Sequence, residues 1–126
     1  MAEQLGTFAL KHTGNTYLKE GDNLVIRAHF EGGAEQFGSG FGTVSATLPI
    51  ADAGATSGNC TYAGQSFLDD GTTLGFIADG TWEQTPGAKE WKLTLHAVSS
   101  TGQRILSIGT VNLTTGSFEG ELFTDE

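Results

Sequence analysis

From Gly6 to Phe123 the chain is a succession of short runs in which apolar and polar residues alternate, each closed by a cluster of Gly, Asn, Asp or Ser. A two-residue period sends successive side chains to opposite faces of an extended ribbon. Polar, glycine-bearing turns between such runs mark antiparallel strands joined by hairpins. No segment carries a helical period. The alternation predicts strands near 6–13, 16–19, 24–31, 41–48, 59–68, 72–84, 90–99, 104–113 and 117–123. The first two read as one interrupted strand, which makes about eight. At 126 residues, 1–126 fits a single domain that can bury its own core.

Glycine supports this reading. The chain has 19 Gly but only two Pro, dispersed between apolar runs, which points to turns and bends rather than disorder. Within "GTWEQTPGAKEW", Gly80 to Trp91, a type II turn centred on Pro86 and Gly87 would set Trp82 opposite Trp91, Ala78 opposite Leu95 and Phe76 opposite Ala97. The indoles then share a face that is apolar along its length, with Leu74, Phe76, Ala78, Leu93 and Leu95. Glu83 faces away.

The same arithmetic at "LDDGTT", centred on Asp70 and Gly71, places Phe67 opposite Leu74 on the apolar face. Centred on Thr101 and Gly102, it sets Leu106 opposite Ala97 and Ile108 opposite Leu95. Val111 and Leu113 then fall out of phase unless Gly109 marks a bulge, and Gly64 is needed in the same way for Cys60 and Tyr62. Gly80 eases a bend before Trp82.

An antiparallel meander with one apolar face must curl into a barrel or pair with a second sheet. Closure also removes the exposed edges. Short turns and recurring glycine bends favour an all-β, up-and-down β-barrel, with a β-sandwich as the alternative.

This order of glycine-punctuated strands, with "GTWEQTPGAKEW" late in a short acidic chain, resembles the allene-oxide-cyclase-like and lipocalin-like small barrels. The broader shape is shared by dirigent proteins and some spirotetronate cyclases. The likeness is one of pattern over most of the chain, and no catalytic residue carries over. The resemblance implies a barrel, often oligomeric, whose mouth binds an apolar small molecule and sometimes guides its cyclisation. Fold alone assigns no such role.

Charge narrows the partners. Six Lys+Arg against fifteen Asp+Glu leave a net charge of -9, which repels nucleic acid and anionic membranes alike. The single cysteine, Cys60, has no intramolecular disulfide partner, and "MAEQLGTF" lacks the features of a secretory signal, so a cytoplasmic location is expected. On that expectation the sequons "NCT" and "NLT" are chance. No apolar run approaches the roughly 18 residues needed to span a bilayer.

The candidate ligand-binding residues are Trp82, Trp91, Phe76 and Leu93, an aromatic and aliphatic wall for an apolar small molecule at a barrel mouth. The competing reading is that the same rings pack the core. Arg27, His29 and Glu31 alternate on the face opposite Leu24, Ile26, Ala28 and Phe30; they read as a catalytic row or, more plainly, as a solvated outer face. His12, His29 and His96 lack ligand spacing and no metal or cofactor is expected. Asp69 and Asp70 read as turn chemistry. Cys60 has no neighbouring base, and "GSGFG", Gly38 to Gly42, precedes no helix that would turn it to a phosphate. The longest irregular stretch, "PIADAGATSGN", 49–59, is the first place to look for function. No catalytic residue is identified; an enzymatic version would be a cyclase or isomerase acting by enclosure. The alternative is a structural protein whose outer face, with His96 among Ile77, Val98 and Ile105, makes a homo-oligomer.

Overall fold

The computed structural model describes residues 2–125. They form a closed antiparallel barrel of eight strands in sequence order: β1 (Gln4–Glu20), β2 (Asn23–Ala34), β3 (Gly38–Pro49), β4 (Ser57–Phe67), β5 (Thr73–Gln84), β6 (Glu90–Ser99), β7 (Arg104–Asn112) and β8 (Ser117–Thr124). β1 pairs with β8 as well as with β2, so the ribbon closes on itself and no sandwich forms. The only helical element among the described residues is a 3₁₀ turn, Ile50–Asp52. No helix among them is long and apolar enough to cross a membrane.

The two N-terminal runs are one strand of 17 residues. Its interruption is a bulge: His12 pairs with Phe30 and Gly14 with His29, so Thr13 is the extra residue. Phe8, Leu10 and His12 point inward before it, and Asn15 and Tyr17 after it.

Loop length decides which side chains face the core. At the β5–β6 corner Ala88 N–H does donate to Thr85 C=O (3.1 Å) around Pro86 and Gly87, and Gly87 has the positive φ of 73° that a type II turn requires. The strands pair only from Thr85 and Glu90, however, through a 2.9 Å bond from Thr85 N–H to Glu90 C=O. The loop is therefore two residues longer than a minimal turn. Trp82 lies opposite Leu93, and Trp91 opposite Gln84. A shift of two preserves side-chain parity, and both indoles stay on the inner face.

The neighbouring hairpins break the expected parity. Gly71 N–H donates to Leu68 C=O (3.0 Å) and Leu68 N–H to Thr72 C=O (2.9 Å), with Gly71 at φ 90°. This is a type I turn followed by a left-handed residue, a three-residue loop in place of a two-residue one. Phe67 pairs with Thr73 and points outward, 43% exposed, while Ser66 takes the inner position. Ser99 to Gln103 repeats the construction with Gly102 at φ 87°. Ala97 then lies opposite Ile105 and Leu95 opposite Ser107. Leu106 and Ile108 face out, and Ile105, expected on the outer face, is 3% exposed in the core. Val111 faces inward without a bulge at Gly109, as do Cys60 and Tyr62 without one at Gly64.

Packing centres on three phenylalanines. Phe118 is 1% and Phe30 2% exposed; their ring centroids are 5.2 Å apart, and Phe8 meets Phe118 edge to face at 5.0 Å. Each such contact adds about 0.5–1.5 kcal/mol beyond area burial. Cys60, Ala78, Leu93 and Leu95 complete this plug across the middle of the barrel. Gly80 permits the strand curvature beside it, since a β-carbon there would collide with Thr94 C=O and Leu95.

Candidate functional site

The Phe8–Phe30–Phe118 plug divides the interior into two cavities. Because the strands alternate in direction, Gly21–Asp22 and the β3–β4, β5–β6 and β7–β8 loops gather at one end of the barrel, and the remaining loops at the other.

The second end is narrowed from within. In the β2–β3 turn Gln36 adopts φ 71°, and Phe37 N–H donates to Ala34 C=O (3.1 Å). This turn folds Phe37 into the barrel, where it is 7% exposed and meets Phe76 edge to face at 5.8 Å. The space left is about 110 Å³. Ser66 Oγ is buried on its wall without a hydrogen-bond partner among the described residues.

The first end holds the tryptophans. Its cavity measures about 320 Å³, the lower end of the range typical of small-molecule sites. Trp82, Trp91, Leu93 and Val111, on β5 to β7, form one wall, and Ile26, Ala28, Val44 and Ala46, on β2 and β3, face it across the ring. Tyr17 (59% exposed) and Leu113 (47%) stand at its rim. The β3–β4 connection, the longest loop, shelters it: β3 runs to Pro49 and β4 starts at Ser57, so the expected irregular stretch is shorter than its sequence suggests. Ala53, Gly54 and Ala55 from that loop line the cavity. Ile50 N–H to Asp22 C=O (2.9 Å) and Gln84 N–H to Thr56 C=O (2.7 Å) tie the loop to its neighbours.

Three of the four residues expected to bind ligand therefore meet. Trp82, Trp91 and Leu93 share the larger cavity, whereas Phe76 lines the smaller one beyond the plug. All four lie on one face, but face does not fix depth. Trp82 lies six positions beyond Phe76 along the strand, about 20 Å at the usual rise.

Several lining residues escaped the sequence reading. His12, Asn15 and Tyr17 descend the β1 wall, and β1 stands opposite β5 in the ring. His12 Nε2 lies 2.6 Å from Asn15 Oδ1; because that oxygen only accepts, the imidazole donates from Nε2. Asn15 Nδ2 donates to the Tyr17 hydroxyl at 3.0 Å, which leaves the phenolic proton free for another acceptor. The bulge between His12 and Gly14 hid this row by reversing the alternation. Gln84 reaches the cavity from β5, its amide donating to Ala88 C=O at 3.0 Å.

Two features limit the chemistry. Cys60 lies at the floor, 5% exposed, and burial pushes its thiol up to about 11. At neutral pH it is protonated and a poor nucleophile. Trp82 Nε1 is buried against Gly58 without a partner among the described residues, and an unpaired buried donor costs about 1–3 kcal/mol.

The Arg27–His29–Glu31 row lies on the outer face, with Ile26, Ala28 and Phe30 turned inward. His29 Nε2 meets Thr16 Oγ1 at 2.8 Å and its Nδ1 meets Thr43 Oγ1 at 3.0 Å, a link across three strands. His96 is exposed and pairs with Asp125 at 2.9 Å. No group of three or more His, Cys, Asp or Glu side chains converges as a metal site among the described residues. Comparison with family models, curated proteins and solved structures finds no significant match to this chain, so the site is read from its own residues.

Proposed function

We propose that this barrel binds an apolar small molecule in the cavity between Trp82, Trp91 and Leu93. The observation that carries the reading is the asymmetry of the two ends: Phe37 plugs one, while the other keeps about 320 Å³ behind a loop of small residues. Packing that served stability alone would fill both ends, because empty apolar volume costs stability. An enzymatic version would be a cyclase or isomerase that folds its substrate by enclosure, in keeping with the pattern shared with allene-oxide-cyclase-like barrels. A cytoplasmic setting belongs to the same proposal and rests on the free, buried Cys60.

The test is titration with the uncharged fluorophore N-phenyl-1-naphthylamine. Saturable probe emission with quenching of the tryptophans supports the reading, provided Trp91→Ala loses the response and still melts cooperatively. If the rings only pack the core, no probe binds and the truncation costs about 3–5 kcal/mol.

One observation favours a second reading, self-association through the outer face. Ile77 (64% exposed) and Val98 (38%) are cross-strand partners, and Phe41 (62%) and Phe67 (43%) lie alongside on β3 and β4 with their rings 6.5 Å apart. Such clustering of exposed apolar side chains is typical of interaction surfaces.

A further inference from the structure

We infer that the indole-end cavity selects an uncharged amphiphile: an apolar chain or ring carrying a hydroxyl or carbonyl, its polar end on the His12–Asn15–Tyr17 row and its apolar body against Trp82 and Trp91. This inference rests on the binding reading above and names the class of ligand.

The first ground is charge. No Asp, Glu, Lys or Arg lines the cavity, and the loops that surround its mouth bring Asp22 and Asp52 against the single cation Lys89 in a chain of net charge -9. A carboxylate or phosphate ligand would lose its water without gaining a cation, which is heavily unfavourable. The second ground is that the cavity is not uniformly oily. Along β1, the 2.6 Å contact between His12 and Asn15 and the 3.0 Å bond from Asn15 to Tyr17 engage both ends of the amide and orient the phenol. His12 is itself steadied against Phe30, with ring centroids 5.3 Å apart. The row ends in a free hydroxyl proton, the kind of convergent polar group that orients a ligand in an otherwise apolar pocket. The third is placement. The polar row on β1 stands opposite Trp82 on β5, with Trp91 beside it on β6, so one molecule spanning the cavity meets both.

The test displaces bound N-phenyl-1-naphthylamine from the full chain with 1-octanol and with octanoate at pH 7.5. Octanol should act at concentrations at least about tenfold lower, a gap of about 1.4 kcal/mol. An apolar pocket of any kind would show part of that gap, so the row is read separately. Asn15→Leu and Tyr17→Phe, both at exposed positions, should weaken octanol about threefold to tenfold relative to the naphthylamine, whose own affinity is measured on each variant. Octanoate binding as well as octanol, or octanol affinity indifferent to both substitutions, overturns the inference and leaves the cavity reading standing. Failure of the fluorophore to bind overturns both.

Discussion

Tyr62 lays its phenol over Gly42 on the neighbouring strand, so closely that a β-carbon on Gly42 would fall within the ring and its hydroxyl. Glycine here makes room for an interior aromatic. Gly42→Ala should therefore cost about 1–3 kcal/mol in urea unfolding, the range for overpacked cores. Gly54, in the β3–β4 loop, has nothing near the place of an added β-carbon, and Gly54→Ala should change stability by less than about 0.5 kcal/mol. Equal effects would mean that the Tyr62–Gly42 contact is absent in solution.

Alkaline pH should loosen the fold. Burial raises the Cys60 thiol from 9.0 to about 11, so above pH 9 the unfolded chain loses a proton that the folded chain keeps. The stabilisation is complete below pH 9 and is lost as pH climbs to about 11, on the order of 2–3 kcal/mol at roughly 1.4 kcal/mol per pH unit. Tyr62, also raised by burial, acts in the same direction above pH 10. Cys60→Ala should flatten the slope between pH 9 and 11 in unfolding curves; an unchanged slope would assign it to other groups.

Filling the cavity should block binding without harming the fold. Ala46 lines it and is half-buried. Ala46→Phe should lower affinity for the naphthylamine probe at least about tenfold, with thermal stability unchanged or raised by up to about 2 kcal/mol. A variant that binds as well as the wild type would place the probe elsewhere.

The outer patch makes a separable expectation. Ile77→Asp should alter unfolding free energy by less than about 0.5 kcal/mol, because the side chain is 64% exposed. If the patch joins copies of the chain, light scattering will show a wild-type oligomer reduced to monomer by this substitution. A wild-type monomer at high concentration would remove the second reading.

The fold class was legible because alternation and dispersed glycine leave an antiparallel meander few alternatives. Register was less so. Gly71 and Gly102 suit a two-residue turn and a three-residue loop equally well, since both place glycine at a left-handed position. Choosing the shorter form sent Phe67, Leu106 and Ile108 to the wrong face. The sequence held a warning: Val111 and Cys60 could be brought into phase only by invoking bulges at Gly109 and Gly64, and lengthening each loop by one residue removes both. At the site, Trp82 and Trp91 were recognisable because their shift of two kept them on one face. Phe76 was grouped with them because alternation reports side and not depth. His12, Asn15 and Tyr17 were hidden by the single extra residue at Thr13, which no local pattern announces.

The most direct test of the cavity reading uses the chain's two tryptophans as reporters. In a ¹⁵N-labelled sample the indole N–H signals of Trp82 and Trp91, assigned through Trp91→Phe, can be followed while 1-octanol is added. Both should shift together along one saturable curve, with Ala28, Ala46 and Ala55 amides moving and Phe37 and Phe76 still. Indole signals that stay fixed while amides around Phe37 and Phe76 move, or while no amide moves at all, would contradict a ligand site at this end of the barrel.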